Sequence, residues 1–218
     1  KGRYGRPRMT AQLRKLGWVV NHKRVGKIMK QMGLQCQLRR KHKICTTQSK
    51  HSYSVAPNVL DRCFTQNAPN QAWSADITYI HTAEGWLFAA LVIDLFSKKI
   101  VGWALGESMA GWLTQEALRT ALLNRQPKRG LIHHSDRGSQ YAAHDYRHML
   151  SACGITVSMS RRGNCWDNAA MESVNGTFKV ECVNRQTYLT REHARYDALE
   201  FIGYYNTQRI HSSLGYLT

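Results

Sequence analysis

Runs of apolar residues separated by turn residues predict a set of strands that begins near residue 72. Three segments have the length and composition of strands: residues 72–80 (AWSADITYI), 86–93 (WLFAALVI) and 100–105 (IVGWAL). The second is apolar at every position, as in a strand that is covered on both faces. The connections are short, and Glu84-Gly85 marks a turn between the first two strands. The pattern therefore predicts an antiparallel meander of three strands.

Helical and strand patterns alternate after this meander. The predicted order is a helix at 110–124, a strand at 131–135, a helix at 141–153, a strand at 155–159 and helices at 168–181 and 190–206. The inward face of the first of these helices is predicted to hold Leu113, Ala117, Thr120, Ala121 and Leu122. Strands and helices in this order predict an α/β fold, a mixed five-stranded sheet with helices on both faces.

Two short helices are predicted ahead of the sheet. Residues 6–16 have a helical pattern that ends near Gly17, and Asn21 and Gly33 are suited to begin and end a second helix. Apolar residues of the second helix recur at i, i+3, i+4 and i+7, at Val25, Ile28, Met29 and Met32. Its other positions carry Lys23, Arg24, Lys27 and Lys30. This pattern predicts a helix-turn-helix over residues 1–34 whose four cations contact DNA. A basic helical hairpin that packs on the core without contacting DNA is the alternative.

The rest of the chain is predicted to divide into a linker and a core. Residues 35–70 are polar, contain two prolines and have no sustained periodicity, so they are interpreted as the linker. Residues 71–218 are predicted to form the α/β core with a C-terminal helical tail.

Charge is distributed unevenly along the chain. The 218 residues carry a formal net charge of +17, yet residues 1–60 contain 15 Lys or Arg and no acid. The remainder holds 16 basic and 14 acidic residues. This asymmetry disfavours a generic metabolic enzyme and favours a polyanionic partner, with nucleic acid ahead of a membrane surface. We therefore expect residues 1–60 to contact DNA or RNA.

The termini and the apolar runs bear on location. No stretch approaches the roughly 18 apolar residues of a membrane span, and the first residues have no apolar secretion signal. A cytoplasmic protein is therefore expected, associated with the nucleoid when it is bound to DNA. The absence of an initiating Met leads us to expect a fragment of a longer chain.

Three acids stand out by their positions. Asp76 lies in the middle of a predicted strand, Asp136 directly follows another, and Glu172 lies on the helix after the last strand. If the two strands are neighbours, both aspartates reach the same edge of the sheet. One face of the helix then carries Asn168, Glu172, Asn175 and Lys179, at i, i+4, i+7 and i+11.

Carboxylate oxygens with few nitrogen donors suit Mg²⁺ or Mn²⁺. Two such ions held about 3.5–4 Å apart stabilise the attacking and leaving oxygens of a phosphodiester during in-line displacement. Water or a 3′-hydroxyl is then the nucleophile, and no protein nucleophile is needed. The acids therefore predict a two-metal phosphoryl-transfer site.

Motifs around these acids resemble a known family. Asp136 and Glu172 are separated by 35 residues, within HHSDRGSQY and SRRGNCWDNAAMES. WSADITYI, VIDLFSKKIVGW, the Lys179-x-Glu181 pair and the tail YYNTQRIHSSLGY accompany them. Together they resemble the integrase-type DDE transposases, and within these the second-frame product of insertion-sequence family three. The N-terminal YGRPRM and VNHKRVGKIMKQMGL are similar to the helix-turn-helix of that family, so the resemblance covers essentially the whole chain.

The resemblance implies a ribonuclease-H-like core that cleaves element ends with two Mg²⁺ (or Mn²⁺) ions and transfers the strands into target DNA. Asp76, Asp136 and Glu172 match its catalytic, metal-binding triad. Lys179 is predicted to contact a DNA phosphate, and Glu181 has no assigned role. The family analogy also implies a homo-oligomer on paired ends and a partner protein from the upstream frame.

Several side chains near these motifs have two interpretations. Arg161 and Arg162 are predicted to contact DNA from a basic loop at the cleft, or to lie in an ordinary surface turn. His134 either supports Asp136 or is a polar strand end. Asp94 is expected in a turn rather than at a metal, and Trp166 either stacks on a base or caps a helix. Core positions are expected for Trp73, Trp86, Trp103 and Trp112.

Two other functions remain open from the sequence. One is a non-catalytic, end-binding repressor derived from a truncated transposase. The other is a different ribonuclease-H-like enzyme, either a retroelement integrase or an RNA-cleaving nuclease. The N-terminal basic helices and the 35-residue spacing favour the transposase.

Overall fold

The computed structural model describes residues 2–36 and 51–218. Two helices come first, α1 (Arg6–Lys15) and α2 (His22–Gln31). The meander is β1 (Ala72–Thr82), β2 (Gly85–Asp94) and β3 (Ile100–Gly106). The rest comprises α3 (Gly111–Arg125), β4 (Ile132–Ser135), α4 (Ser139–Ala142), α5 (His144–Ala152), β5 (Thr156–Met159), α6 (Ala169–Glu181) and α7 (Arg191–Thr207). No helix in this described part combines the length and the apolar run needed to cross a bilayer.

The five strands form one mixed sheet in the order β3-β2-β1-β4-β5, which confirms the predicted fold class. β1 and β2 are antiparallel, as are β2 and β3, whereas β4 runs parallel to both β1 and β5. β1 pairs with β4 only over Ala72–Ala75, where Ala75 lies opposite Ser135. Asp76 directly follows Ala75 and Asp136 directly follows Ser135, so this strand pairing places the two aspartates side by side.

Helices cover both faces of the sheet. One face packs its apolar residues against α6 and α7, and the other packs against α3 and α5. Along β1 the side chains alternate between these layers: Ala72 and Ile80 belong to the first, and Trp73 and Ala75 to the second. By this period of two, Asp76 lies on the face that α6 covers.

The tryptophan predictions are partly wrong. Trp73 is fully buried and Trp103 packs at the edge of the core, but Trp86 and Trp112 are 41% and 48% exposed. Trp86 lies at the tip of the β1–β2 hairpin, where its ring packs edge-on against Tyr79 and His81. Trp112 begins α3 and covers Gly106, where a Cβ atom would come within 2.6 Å of the indole ring.

The helix predicted at 141–153 is two helices in the structure. Ala143 has an extended backbone (φ −57°, ψ 143°) that separates α4 from α5. The break redirects the chain, so that Tyr141 and Tyr146 are both buried and pack edge-on with ring centroids 5.4 Å apart.

Residues 51–70 contain no helix or strand but pack on the core. Ala56 and Leu60 are buried, and the backbone amides of Val59 and Leu60 both donate to Ser158 Oγ, at 2.9 and 3.0 Å. This part of the predicted linker therefore covers the β5 side of the sheet. The domain boundaries stay a prediction.

In the N-terminal pair of helices, Asn21 begins α2 as predicted, because its Oδ1 accepts from Arg24 N at 2.8 Å. Gly33 follows the helix with φ +65°. The predicted apolar stripe is largely not buried, however: Val25 is 3% exposed, whereas Ile28 and Met32 are 42% and 65% exposed. A two-helix segment is too small to cover a whole stripe.

Candidate active site

Asp76, on β1, is a half-buried member of the carboxylate site. Its Oδ1 accepts from the backbone amide of Ile77 at 2.8 Å, and its Oδ2 accepts from Asn175 Nδ2 of α6 at 2.9 Å. Burial raises the pKa of the Asp76 carboxyl well above its ordinary value, and the negative charges of Asp136 and Glu172 raise it further. The two hydrogen bonds act in the opposite direction. The carboxylate is thus held in one orientation within a region of excess negative charge.

Asp136 ends the neighbouring parallel strand. Its Oδ1 accepts from the backbone amide of Gly138 at 2.9 Å. A Cβ atom on Gly138 would come within 3.0 Å of the same oxygen, so glycine lets the loop close on the carboxylate. A small cleft joins the two aspartates and is lined also by Ile77, Met109, Gly138, Gln140 and Tyr141.

Glu172 lies in the first turn of α6 and is exposed. Its charge reaches Asp76, as the raised pKa of the Asp76 carboxyl indicates. The structure therefore brings Asp76 and Asp136 together where the β1–β4 pairing ends, with Glu172 on the helix that packs on this face of the sheet. Across residues 2–36 and 51–218, no three His, Cys, Asp or Glu side chains close around one point as a metal centre.

Asp76, Asp136 and Gln140 bring to the cleft the kind of oxygen donor that hard divalent cations prefer. A half-buried carboxylate beside two further negative charges is costly without a compensating cation. The donor chemistry thus fits Mg²⁺ or Mn²⁺, with Asp76 and Asp136 as the preformed part and Glu172 as the exposed part.

Lys179 lies two turns beyond Glu172 and reaches across to β1. Its Nζ donates to the carbonyl oxygen of Tyr79 and lies 3.8 Å from the centroid of the Tyr79 ring. Burial lowers the pKa of the Lys179 ammonium to about 8. The Lys179 ammonium therefore lies against the part of β1 that extends past the residues paired with β4. DNA contact by Lys179 stays a prediction.

Arg161 and Arg162 precede the helix that carries Glu172. Arg162 is exposed, whereas the Arg161 guanidinium binds the buried carboxylate of Asp167 and also contacts Asp61 at 3.1 Å. This Arg161 pairing is not apparent from the sequence, where the arginine pair reads only as a basic loop. Both DNA contacts stay predictions.

His134 is hydrogen-bonded to the β5 side of the sheet. Its Nδ1 and Nε2 lie 2.9 and 3.2 Å from the hydroxyls of Ser158 and Ser160 on the β5 side. Burial lowers the pKa of His134 to about 4, so the ring is neutral near pH 7. It is therefore a polar link between strands and does not support Asp136.

Asp94 forms the turn after β2, as expected. Its carboxylate accepts from Ser97 N and Oγ and from Asn70 N. Trp166 is 69% exposed, and its backbone amide donates to Asn164 Oδ1, so its ring is available to stack and does not cap α6. Glu181 forms a buried ion pair with Arg209.

Sequence patterns miss two contributors to the site region. Asn175 shares a helical face with Glu172 in the spacing, but nothing in the sequence identifies Asp76 as its partner. Asp167 was not predicted at all, because its partners Arg62 and Arg161 lie on different segments.

The fold and this acidic edge define an integrase-core protein. Models described as "Integrase core domain" match residues 66–165 and 153–218, and one described as "HTH-like domain" matches residues 1–42. A chain of the simian T-cell lymphotropic virus intasome has the same fold at a TM-score of 0.57 and 15% identity, with 95% of this chain and 66% of that chain covered. The HTLV-2 integrase catalytic core, solved in complex with magnesium, gives a TM-score of 0.52 at 15% identity, with 68% and 93% covered.

Closer relatives are bacterial. The chain is 46% identical over 213 residues to an uncharacterized 31 kDa protein of insertion element IS600 from Shigella sonnei, covering 97% of this chain and 78% of that one. It is 42% identical to the transposase of IS904 from Lactococcus lactis (99% and 85% covered). It is 39% identical to transposase InsF of IS3A from Escherichia coli K12 (100% and 76% covered). The chain belongs to the IS3 family of insertion-sequence transposases.

Proposed function

We propose that this chain is a DDE transposase that cleaves DNA at the ends of its insertion element and transfers those ends into target DNA. The observation that carries the proposal is the convergence of Asp76 and Asp136 where the β1–β4 pairing ends, with the negative charge of Glu172 acting on Asp76. Clustering negative charges in this way costs stability, so a function at this point of the sheet is the physical explanation that fits best. A cytoplasmic location, with nucleoid association when DNA is bound, is part of the proposal, because the proposed substrate is DNA.

The three carboxylates would hold two Mg²⁺ or Mn²⁺ ions. When bound, the ions supply Lewis-acid stabilisation of the charge that develops on the attacking and leaving oxygens. The chain itself fixes the orientation of the ligands: Ile77 N and Asn175 Nδ2 hold Asp76, and Gly138 N holds Asp136. Preorganised ligands need no rearrangement when the phosphodiester arrives.

Cations around the acidic edge would bind the DNA. The cleft is negative, so phosphates need positive side chains nearby, and Lys179 and the exposed Arg162 are suited to that role in this proposal. On α2 the side chains of Lys23, Arg24, Lys27 and Lys30 are all exposed. Arg161 contributes less to phosphate binding, because Asp167 already engages its guanidinium.

The α2 cations are expected to account for a large part of the salt dependence of DNA binding. Changing Lys23, Arg24, Lys27 and Lys30 together to Gln should lower the slope of log affinity against log salt by about 3–4, since each phosphate contact contributes about 0.9. Electrophoretic or fluorescence binding to end DNA at several salt concentrations measures this slope. The four cations are substituted, rather than residues 1–60 deleted, because a deletion would also remove Leu60, which belongs to the hydrophobic core.

A second variant, which removes two cations rather than four, controls for a general effect of net charge in that experiment. Lys128→Gln with Arg129→Gln removes two cations from the loop before β4, away from α2, and is expected to leave the slope nearly unchanged. An equal slope for the wild type and the fourfold α2 variant would favour the alternative in which α1 and α2 pack without contacting DNA.

Lys179→Ala is expected to weaken end-DNA binding with little sequence preference and to reduce the salt slope by about one. Because the pKa of Lys179 is about 8, its contribution should be present at pH 7 and decline as the pH rises through 8 to 9. Lys179→Arg keeps the charge over this range and should remove the decline. The measurement is affinity at pH 7, 8 and 9 for the three proteins. Identical salt slopes and pH profiles for wild type and Lys179→Ala would make Lys179 a purely structural contact of Tyr79.

The proposal extends to the assembly. Transposition joins two element ends, so a homo-oligomer on paired ends and a partner protein from the upstream frame accompany the proposed activity, on the strength of the family resemblance. A non-catalytic end-binding repressor is the second candidate function. The intact set of three acids at one sheet edge argues against it.

One experiment separates these functions. The purified chain is incubated with Mg²⁺ and either duplex DNA carrying the element ends, unrelated duplex DNA or an RNA–DNA hybrid. A transposase nicks only the end-bearing duplex, and a nuclease of the ribonuclease H type cleaves the hybrid. A repressor binds the ends without cleaving them, and that result would overturn the proposed catalysis.

A further inference from the structure

We propose that Asp167 is a positioning residue of the transposase site, because its buried carboxylate binds Arg161 and Arg62 and thereby fixes the start of the helix that carries Glu172. This inference deepens the proposed function and rests on it. Asp167 itself does not line the cleft between Asp76 and Asp136. It therefore acts on the reaction only through the helix.

The Asp167 carboxylate has a dense set of charge-assisted partners. Oδ2 accepts from Arg161 N at 2.9 Å and Arg161 Nε at 2.8 Å. Oδ1 accepts from Arg161 Nη2 and from Arg62 Nε, each at 2.8 Å. The Asp167 side chain is 0% exposed, whereas the two arginines are 47% and 44% exposed. The hydrogen bonds from Arg161 hold the pKa of this carboxyl well below its usual range, so the pairing is ionic.

These contacts join three separate segments. Arg161 follows β5, Arg62 belongs to the 51–70 segment, and Asp167 lies in the 3₁₀ turn Cys165–Asn168 that leads directly into α6. The next residue, Asn168, accepts from Ser74 Oγ at 3.4 Å. Ser74 is two residues before Asp76 on β1, so the same turn is linked to the strand that carries the first aspartate.

Glu172 depends on this anchorage for its position. Its own side chain is exposed, and Asn168, which precedes the helix, makes no side-chain capping hydrogen bond to it. The first turn of α6 is therefore located by Asp167 and Asn168, together with the buried Met171. A small displacement of this turn would move Glu172 relative to Asp76 and Asp136, and geometric errors of this kind are costly in catalysis.

The test compares Asp167→Asn with a matched control, Asp61→Asn. Asp61 contacts the same Arg161 guanidinium at 3.1 Å but is 69% exposed. It belongs to the 51–70 segment and not to the turn before α6. Asp167→Asn is expected to fold, since both arginines are half exposed and water can solvate them. Arg62→Gln is a milder second variant, which removes one hydrogen bond and leaves the buried carboxylate paired with Arg161.

Three readouts are made on the full chain. The first is the rate of end cleavage at saturating DNA as a function of Mg²⁺ concentration. The second is end-DNA affinity in metal-free buffer. The third is amide hydrogen exchange of residues 169–173 in the metal-free protein, which reports on the helix start without any need for activity.

Asp167→Asn should lower the cleavage rate by about 10- to 100-fold, the usual effect of losing a residue that orients a metal ligand. It should also raise the Mg²⁺ concentration for half-maximal rate and speed exchange at residues 169–173. DNA affinity should not fall, because no phosphate-binding cation is lost and the Arg161 guanidinium is released from the Asp167 carboxylate. Arg62→Gln should shift the same readouts in the same direction by less, and Asp61→Asn should match the wild type.

The inference is overturned if Asp167→Asn and Arg62→Gln leave the Mg²⁺ dependence and the exchange of residues 169–173 at wild-type values. It is also overturned if Asp61→Asn reproduces the Asp167→Asn effects. Failure of the proposed function has a different signature: the wild-type protein does not cleave end DNA with Mg²⁺. In that case the exchange readout still decides whether Asp167 anchors α6.

Discussion

Changing Asp76, Asp136 or Glu172 singly to its amide is expected to lower Mg²⁺-dependent cleavage of end DNA by more than about a thousandfold. Each change removes one negative ligand from a site whose function is to hold divalent cations around a phosphodiester. A thousandfold loss corresponds to about 4 kcal/mol of transition-state stabilisation. The measurement is single-turnover cleavage of a labelled end duplex with excess protein.

Binding and folding should be spared in these variants. Asp76 lies among like charges, so Asp76→Asn removes repulsion from a half-buried position and should keep or raise the thermal stability. The affinity for end DNA should not fall, since a negative charge has been removed next to the phosphates. Glu116→Gln, on the exposed face of α3, is the matched control and should cleave like the wild type. Near-normal cleavage by any one amide variant would remove that residue from the catalytic site.

The aspartates could be predicted from the sequence because their positions follow from local pattern. A period of two fixes the face of each β1 residue, and an aspartate in the middle of β1 meets an aspartate directly after β4 when the two strands are parallel neighbours. Sequence alone does not give strand adjacency. Here the order β3-β2-β1-β4-β5 supplies it.

The parts that could not be predicted depend on contacts between distant segments. Asp167 reads as one polar residue in a short turn, yet its partner Arg62 lies 105 residues away. Exposure is also a tertiary property: the apolar spacing of Ile28 and Met32 is that of a buried helix face, but the two-helix segment leaves both exposed. The sequence places Trp86 directly after the predicted Glu84-Gly85 turn, but it does not show that the indole is 41% exposed there.

The role of Glu181 could not be predicted from the sequence either, because its partners lie on distant segments. Its substitution is expected to have the largest effect on stability. It is the last residue of α6, and its carboxylate accepts from Arg209 Nε and Nη2, the shortest contact being 2.8 Å. The two side chains are 5% and 4% exposed. Arg8 Nη1 lies 4.0 Å from the same carboxylate, and Arg3 Nε donates to the Glu181 carbonyl at 3.2 Å. The pair therefore lies where α6, the chain after α7 and the N-terminal segment meet.

Glu181→Gln is expected to lower the free energy of unfolding by about 3–5 kcal/mol, the usual cost of removing one partner from a buried ion pair. The loss arises mainly because the Arg209 guanidinium stays buried without a counter-charge. Denaturant unfolding followed by tryptophan fluorescence measures it. Glu192→Gln is the control: Glu192 is 86% exposed and pairs with Arg195 at 3.6 Å, so its loss should cost under about 0.5 kcal/mol.

A double variant distinguishes a stabilising pair from a merely compensated one. Glu181→Leu combined with Arg209→Met removes both charges, and replacing a buried pair with apolar side chains is often neutral or stabilising. We expect the double variant to recover most of the stability lost in Glu181→Leu alone, with a coupling energy of several kcal/mol in the cycle that Arg209→Met completes. Independent, additive losses at the two positions would contradict this, and would mean that the Glu181 carboxylate acts through Arg8 of the N-terminal segment. α6 carries Glu172 in its first turn and Glu181 at its last residue. Glu181→Gln should therefore also slow cleavage, but only in proportion to the fraction of the protein that is unfolded.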